Sequence, residues 1–384
     1  MRGLRTTSTA MLGVAILATA TAVPAAAQAD DQISYTSSPD RVAVVLNNVA
    51  FARDTVALPG GVDVRIVLPQ TVYPDTLVLR ENGERVRNYR LDHKTGLPTI
   101  KWQSATDSEL REVSMEYLLG GVGWRPTYDM WIGADTDETV ELDYFAEITD
   151  SALELDEVDT QLVAGFVDLN NPIAPAAELS ANQRLAGFEA ADMIMASASP
   201  TGQVDIQHVY DIGALTAEPG DTVYHQLAGG TQPARRLHLW NAPTDQQVTV
   251  IYKVTNESDE PWSEGVVRSF QNGLFIGSDF VERAPTGSEG SITVGHLQDV
   301  RVKRAQTQSA VDMGRFDHKF EVELTIENFT DTTVHMEVVD FLPTNGEHLE
   351  ASIEPQLEAG NIMRWIISVE PGDEMVIGYE YLVD

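Results

Sequence analysis

The chain has 384 residues, and its 25 Lys and Arg residues against 59 Asp and Glu residues give a formal net charge of -34. This charge excludes a nucleic-acid-binding protein that neutralises phosphates, because that mode of binding needs a basic face. The chain has no Cys, which excludes disulfides, thiolate metal ligands and cysteine nucleophiles, while 43% hydrophobic residues suffice for a packed core.

The first 29 residues have the features of a secretory signal peptide. A positive start at Arg2 and Arg5 precedes an apolar run over residues 10–23, and small residues suited to cleavage stand at 27–29. The alternative is a membrane anchor, but the run is shorter than the ~20 apolar residues that a spanning helix needs. We therefore expect an exported protein that does not span a membrane, located in the periplasm or outside the cell.

The acidity has a particular form. Only five of the 25 basic residues are Lys, and Asp and Glu are spread along the chain without blocks. An evenly acidic, Lys-poor surface is typical of adaptation to high salt, where screening removes much of the self-repulsion. We favour this halophilic interpretation over that of an ordinary acidic exported protein.

The first predicted strands lie at residues 42–46 and 62–68. A turn at Pro59-Gly60-Gly61 stands between them, which is typical of a β-hairpin. A second turn is predicted at 81–84. Residues 140–148 alternate with period two, so one face of this strand should be buried and its acidic face solvated.

The same alternation predicts strands at 248–254 and 320–326, and no amphipathic helix of ordinary length is predicted in the folded parts. Residues 170–202 interrupt the pattern, being rich in Ala, Ser, Asn and Pro, with a short helical possibility at 181–195. An insertion of this length in a compact domain is a functional loop or a disordered segment, and we favour disorder.

The last part of the chain has short strands at the spacing of an immunoglobulin-like fold. Trp365, Ile367 and Val369 would supply a row that faces the core. The predicted strands lie at 320–326, 334–339, 362–369 and 376–383.

These patterns predict an all-β protein with multiple antiparallel β-sandwich domains, including an immunoglobulin-like C-terminal sandwich. No Cys pair can join the sheets, so packing alone must hold them together. The predicted units are a signal peptide (1–29), an N-terminal β domain (30–108), a central β domain (109–312) with a flexible loop at about 170–203, and the C-terminal sandwich (313–384).

The order of several short motifs resembles a known family. Residues 115–118 (MEYL), 123–129 (GWRPTYD) and, downstream, 274–279 (LFIGSD) are similar to a domain of unknown function found in mucoidy inhibitor A-like proteins. The resemblance covers most of the chain after the signal peptide, and it implies an all-β envelope protein with no established enzymatic activity. Two features depart from the family pattern: residues 91–110 are too short for its coiled coil and lack heptads, and ALEL at 152–155 replaces a Gly-x-x-Trp pattern.

A glycine-rich stretch at 120–123 invites comparison with dinucleotide-binding loops. That motif should end a strand and open a helix with a third glycine, but Trp124, Arg125 and Pro126 follow and indicate a turn into another strand. We interpret Trp124 and Tyr128 as core and corner residues, with Arg125 packing or pairing against a nearby carboxylate.

The sequence predicts no catalytic, cofactor-binding or metal-binding residue. The eight His residues are scattered and lack the spacing of a zinc site. Residues 135–138 and 156–159 resemble partial calcium loops but lack the glycine and the distal Glu of an EF-hand, so we interpret both as solvated turns. The tripeptides that begin at Asn256 and Asn328 fit the N-glycosylation pattern.

These observations favour an exported, non-enzymatic cell-envelope protein that acts through protein or polysaccharide contacts and needs no cofactor. The alternative hypothesis is a glycan-active hydrolase that uses a pair of carboxylates facing a sugar cleft. With 59 acidic residues, the sequence alone cannot identify such a pair, and no Gly-x-Ser-x-Gly elbow indicates a serine hydrolase. A smaller possibility is a cation-binding module.

Overall fold

The computed structural model describes residues 32–92, 96–104, 110–133, 138–167, 202–204 and 207–384. The predicted signal peptide lies outside these residues, and so does the predicted loop at 170–203 except for its last two residues. Within the described ranges the only helical element is the single-turn 3₁₀ helix Pro74–Thr76, and no helix there has the length and hydropathy needed to cross a bilayer. The predicted all-β fold is confirmed.

The strands follow one another along the whole described chain. The first are β1 (Gln32–Thr36), β2 (Arg41–Val45), β3 (Val49–Pro59), β4 (Asp63–Val67), β5 (Val78–Glu81), β6 (Glu84–Arg85), β7 (Arg90–Asp92), β8 (Thr99–Gln103) and β9 (Leu110–Gly120). Next come β10 (Val122–Ile132), β11 (Thr139–Asp150), β12 (Leu155–Ala164), β13 (Gly202–Val204), β14 (Gln207–Ala217), β15 (Thr222–Asn241), β16 (Thr249–Thr255), β17 (Gly265–Gln271), β18 (Leu274–Val281) and β19 (Glu289–His296). The last are β20 (Val300–Met313), β21 (Phe316–Asn328), β22 (Val334–Phe341), β23 (Gly346–Ala351), β24 (Gln356–Glu358), β25 (Ile362–Val369) and β26 (Glu374–Val383).

The described strands form four mostly antiparallel sheets. An eight-stranded sheet has the order β13-β14-β12-β2-β3-β9-β5-β6, and a four-stranded sheet has the order β1-β4-β8-β7. The largest sheet runs β18-β17-β10-β11-β15-β22-β25-β24, and β16 and β19 continue it from β15. The fourth sheet has the order β20-β21-β26-β23.

The first predicted hairpin is wrong. β2 pairs with β3, not β4, through a turn in which Asn48 has the positive φ of 59° that Asn tolerates. The turn at Pro59-Gly60-Gly61 carries the chain from β3 into β4, which belongs to a different sheet. The prediction failed because the run 49–59 is itself a strand and takes the place beside β2.

Other local predictions are confirmed. Glu81 and Glu84 are paired across a two-residue turn in which Asn82 and Gly83 both have positive φ, as a tight hairpin requires. In β11 the apolar side chains of the alternating pattern, such as Leu142, are buried, and Glu141 is exposed as predicted. The turn and the alternation of this strand could therefore be predicted from the local sequence. Glu147 departs from the prediction of a solvated acidic face, since it is buried and pairs with Arg125.

Three hydrophobic clusters lie in the described part of the chain, and the smallest includes Val45, Phe51 and Val163 of β2, β3 and β12. The largest runs through the strands from β2 to β19 and includes Tyr128, Tyr144 and Trp262. The second lies between the sheet β20-β21-β26-β23 and the strands β22 and β25, and there the predicted core residue Trp365 contacts Tyr379 at 5.6 Å between ring centres. Trp365, Ile367 and Val369 are all buried, so the predicted row that faces the core is confirmed.

The predicted domain boundaries at 108 and 312 stay predictions. Sheet pairing crosses both: β3 pairs with β9, and β20 pairs with β21. The neighbouring units thus share hydrogen-bonded sheets.

The second half of the chain repeats one strand arrangement. β16 lies between β15 and β19, as β21 lies between β20 and β26. β17 pairs antiparallel with β18, as β22 pairs with β25. β17 also lies parallel to the earlier strand β10, as β22 lies parallel to the earlier strand β15. We refer to β15–β19 as the first unit and to β20–β26 as the second unit, which adds β23 and β24.

Candidate functional site

The strongest candidate for a functional surface is the outer side of five neighbouring strands, β18, β17, β10, β11 and β15. Side chains alternate between the two sides of a strand, and in β10 Trp124, Tyr128 and Met130 point into the core, where all three are buried. Asp129 and Trp131 therefore point outward. The outward side chains of the five strands form four short rows across the sheet.

The first row is aromatic. Trp131, Phe270 and Phe275 are cross-strand neighbours on β10, β17 and β18. The Trp131 and Phe270 rings are stacked with centres 4.4 Å apart, and Phe275 meets Phe270 edge-on at 5.8 Å. Trp131 remains 41% exposed and Phe275 59% exposed, so much of this apolar surface lies in water.

The second row is polar. Arg268 donates two hydrogen bonds to Asp129, at 2.7 and 2.9 Å, and this forked geometry fixes both side chains. Beside them, Asp143 accepts a hydrogen bond of 3.0 Å from the amide of Gln226. Partial burial raises the pKa of Asp143, and the nearby Glu141 and Asp129 carboxylates raise it further.

The third row is again apolar, and the fourth row, with Arg125 of β10, Glu147 of β11 and Tyr224 of β15, borders it. Phe145, Val266 and Phe280 extend across β11, β17 and β18, with Thr127 of β10 between the first two. Val266 is 42% and Phe280 54% exposed. We call the outward side chains of these rows the aromatic face: Trp131, Phe145, Tyr224, Val266, Phe270, Phe275 and Phe280.

The strands beneath the aromatic face are held by buried aromatic side chains. Tyr128 and Tyr144 are stacked with ring centres 4.5 Å apart, and the Tyr128 hydroxyl donates a hydrogen bond of 2.6 Å to the carbonyl of Ser263. Tyr144 in turn donates to the hydroxyl of Tyr210 at 3.2 Å. Burial raises the pKa of each of these three tyrosines, so all of them stay neutral donors.

An acidic groove lies elsewhere, on the outer side of the sheet β20-β21-β26-β23. It has a volume of about 640 Å³, and four Glu side chains line it: Glu321, Glu323, Glu350 and Glu380. The ammonium group of Lys319 lies 2.8 Å from Glu380 and 3.2 Å from Glu321, so one cation already neutralises part of this charge.

Four carboxylates of the described residues are buried, those of Asp54, Glu147, Asp150 and Asp340, and two of them hold networks that stabilise the fold. Asp54 accepts hydrogen bonds from Tyr35, Ser37 and the backbone N–H of Ser38, and desolvation raises its pKa despite them. Such full satisfaction by fixed donors is typical of a structural carboxylate.

The second of these two carboxylates, Asp340, is fully inaccessible to solvent. It accepts hydrogen bonds from the guanidinium of Arg304 at 2.8 Å and from the hydroxyl of Tyr379 at 2.7 Å. This network joins the two sheets of the second unit.

The residues that the sequence singled out around the glycine-rich stretch lie where they were predicted. β9 ends at Gly120, Gly121 makes the turn with a φ of 91°, and β10 follows. Trp124 and Tyr128 are buried in the core, and Arg125 forms an ion pair of 2.6 Å with Glu147. The interpretation as a strand-to-strand turn is confirmed.

The described part of the chain contains no cluster suited to a metal ion, that is, no group of three or more His, Asp or Glu side chains arranged to hold one. His208 and His348 each contact a single Glu at 3.4 Å. Residues 135–137 lie outside the described residues.

The interpretation of 156–159 as a solvated turn is wrong. These residues belong to β12, where a bulge accommodates Glu157 at a φ of 53°. Asp159 forms an ion pair with Arg41 on β2, so this carboxylate joins two strands of the eight-stranded sheet.

The two N-glycosylation tripeptides have a different role in the fold. Asn256 and Asn328 are 0% and 1% exposed. Each side-chain oxygen accepts two hydrogen bonds from the residue two positions on, Ser258 or Thr330. Each side-chain N–H group donates to two backbone carbonyls, those of Glu260 and Ala284 or of Thr332 and Val369. We call this arrangement, which occurs once in each unit, the Asn corner.

The aromatic face was missed at the level of sequence, although a signal for it exists. Trp131 stands at the same parity in β10 as the charged residues Arg125 and Asp129, so it must share their outward side. In β18, Phe275 and Phe280 lie in a segment with one charged residue, Asp279. The pattern of one strand, however, does not show which other strands lie beside it, because that depends on pairing between distant parts of the chain.

Comparison with known proteins gives one match. The family model described as "Domain of unknown function (DUF4139)" matches residues 113–384, which include β10–β26 and the whole aromatic face. No curated protein matches the chain.

Proposed function

The chain belongs to the DUF4139 family, a domain of unknown function, and from its structure we propose that it is a non-enzymatic contact protein of the cell envelope. In this proposal it is exported by its N-terminal signal peptide, stands among the mucoidy inhibitor A-like proteins, and works in high salt. It binds a partner through the aromatic face.

The observation that carries this proposal is the exposure of the aromatic face in a very acidic chain. Water-soluble proteins rarely leave contiguous apolar surface exposed, and where they do it commonly marks an interaction site. Here two apolar rows flank a polar row in which the Arg268–Asp129 pair is fixed. Aromatic anchors beside oriented polar groups are the composition of binding hot spots.

The ring geometry favours a protein partner over a polysaccharide. A pyranose ring binds against the open face of an aromatic ring, but Trp131 and Phe270 cover one face of each other. Phe275 also turns its ring across that of Phe270, with 69° between the ring planes. Stacking thus leaves Trp131 and Phe270 at most one open face each, while the ring edges of this row can pack against the apolar side chains of a second protein.

The test compares two double variants, each of which removes two exposed apolar side chains. Trp131→Ser with Phe275→Ser removes the aromatic row, whereas Leu357→Ser with Ile366→Ser removes two exposed apolar side chains, 60% and 67% accessible, from the second unit. Each purified chain is incubated with solubilised envelope at native salt and cross-linked, and the retained protein and polysaccharide are quantified separately.

We expect the wild type and the Leu357/Ile366 variant to retain the same protein, and the Trp131/Phe275 variant to retain it at least about tenfold less tightly, as the loss of two anchors predicts. Equal retention by both variants would refute the role of the aromatic face. Retention of polysaccharide alone would refute the protein partner.

The alternative hypothesis, a glycan-active hydrolase, would use the acidic groove. Its four Glu side chains supply candidate carboxylates, and Glu323 is not among the two that Lys319 contacts. Release of sugar from envelope glycan by the wild type, lost in Glu323→Gln, would support this hypothesis and overturn the non-enzymatic proposal.

A further inference from the structure

The edge strand β20 carries an inference that goes beyond the proposed function. Its 14 residues pair with β21 on one side, and no described strand pairs with its other side. The strand contains neither Pro nor Gly, the residues with which proteins commonly interrupt such edges. From Val300 to Ala310 the pairing with β21 is regular, and the register shift of this pair lies beyond, between Ala310 and Met313. A regular free edge is a template for pairing with another strand.

The hydrogen-bonding phase shows which backbone groups of β20 are free. The N–H of Phe329 donates to the carbonyl of Asp299 at 2.8 Å, one position beyond the pair Val300 and Asn328. Bonded and non-bonded pairs alternate in an antiparallel ladder, so the odd-numbered residues of β20 bond to β21. The backbone N–H and C=O groups of even-numbered residues such as Gln306 and Gln308 point to the free edge.

The outer side of β20 is divided into two unlike halves. Its first half presents the basic residues Arg301 and Lys303. Its second half presents Ala305 and Thr307, which lie directly beside two acidic residues of β21: Ala305 is paired with Glu323, and Thr307 with Glu321. Glu321 and Glu323 are both exposed. Glu321 also contacts Lys319 at 3.2 Å, and Arg301 contacts Glu327 at 3.2 Å in the same chain.

We propose that two copies of this chain associate by antiparallel pairing of their β20 strands about a two-fold axis at Arg304. This register places Lys303 of the second copy beside Ala305, within side-chain reach of Glu323. It also places Arg301 of the second copy beside Thr307 and Glu321. The same contacts recur on the other side of the axis, because an interface with two-fold symmetry is self-complementary.

The proposed register satisfies the backbone as well as the charges. It joins residues of equal parity whose free groups face each other, namely Val302 with Gln306 and Arg304 with its own symmetry mate. Two guanidinium groups close to an axis would repel, but each Arg304 is already neutralised by the buried Asp340 of its own chain. A second copy therefore matches this edge in hydrogen bonding and in charge.

The first experiment measures molar mass by sedimentation equilibrium over a range of concentrations at native salt, for the wild type, Gln308→Pro and Gln308→Ala. The N–H lost in Gln308→Pro points to the free edge, where a single chain tolerates Pro. We expect a wild-type dimer, unchanged in Gln308→Ala and weakened at least about tenfold in Gln308→Pro, since two intermolecular hydrogen bonds are lost per dimer. A wild-type mass of one chain up to about 1 mM would overturn the proposal.

A charge exchange tests the register. Lys303→Glu should weaken the dimer, and adding Glu323→Lys to the same chain should restore it, because the two exchanged charges face each other across the axis. If Lys303 instead guards the edge against pairing, Lys303→Ala would strengthen association, which would contradict the proposal.

The absence of native Cys permits a direct check of the paired residues. A mixture of Lys303→Cys and Ala305→Cys chains should form an oxidised heterodimer, while a mixture of Lys303→Cys and Thr325→Cys chains should not. The aromatic-face variants should dimerise like the wild type, so a failure of this inference is distinguishable from a failure of the proposed function.

Discussion

Replacing the side chain at the centre of an Asn corner tests how far local hydrogen bonding holds the second unit together. Asn328→Ala removes four hydrogen bonds of 2.7 to 2.9 Å. The carbonyl of Val369 is left without its partner in a buried place, whereas the groups of Thr330 can regain water. We count the two hydrogen bonds to the carbonyls of Thr332 and Val369 at roughly 1 kcal/mol each and the two bonds from Thr330 at about half of that. We therefore expect the free energy of unfolding to fall by about 3 kcal/mol.

The assay is the free energy of unfolding in urea, measured for the wild type, Asn328→Ala and Thr330→Ser. The Ser variant keeps the hydroxyl that bonds to Asn328 and should lie within about 1 kcal/mol of the wild type. Asn256→Ala repeats the experiment in the first unit and should give a similar loss. A loss below about 1 kcal/mol for both Asn variants, or a glycan attached to either Asn in the folded protein, would refute the structural role of these corners.

Three further predictions address other parts of the fold. Burial raises the pKa of Asp54 above 3.8, so the folded state loses stability as the pH rises from the pKa of the unfolded chain through the raised pKa of the folded protein. Asp54→Asn should reduce this loss in urea titrations over that pH range, and an unchanged dependence of stability on pH would contradict the prediction. Asp340→Ala should destabilise the second unit by about 3 to 5 kcal/mol, because Arg304 would keep a partly buried charge without its partner; a loss below about 1 kcal/mol would show that water replaces the carboxylate. A Cβ at Gly265 would collide with the carbonyl oxygen of Pro126 on β10, so Gly265→Ala should lower the free energy of unfolding by at least about 1 to 3 kcal/mol and weaken partner binding. Gly378 has open space around it, so Gly378→Ala should change the free energy of unfolding by no more than about 1 kcal/mol. Equal effects of the two substitutions would refute the steric argument.

Local features of the fold could be predicted from sequence because their causes are local. The turn at Asn82 and Gly83 depends on two residues that tolerate positive φ. The burial of Trp365 depends on alternation within one strand.

The pairing of strands could not be predicted in the same way. β22 lies parallel to the end of β15, with Trp240 paired to Val338, and no signal near either residue encodes that contact. The buried Asn256 and Asn328 also could not be interpreted from sequence alone. The same tripeptide fits an N-glycosylation site and an Asn corner, in which the Asn side chain makes four hydrogen bonds. Only the partners far along the chain, such as the carbonyls of Ala284 and Val369, distinguish the two interpretations.

The repeated arrangement of the two units gives an internal control for the aromatic face. Beyond the Asn corner, the turns in the two units bond alike: the N–H of Gly287 donates to the carbonyl of Asn256, and the N–H of Gly372 to that of Asn328. Yet the strands that correspond to β17 and β18 carry a different outer surface in the second unit.

On β22 and β25, the outward side chains of Glu337 and Arg364 form an ion pair, and Arg364 also contacts Glu358. The same construction thus folds with a mixed outer side, where this ion pair lies beside the exposed side chain of Ile366, so the fold itself does not require stacked rings such as those of Trp131 and Phe270. Because exposed rings gain little for folding while they remain in water, the row of Trp131, Phe270 and Phe275 on β10, β17 and β18 is best explained by a partner that covers it.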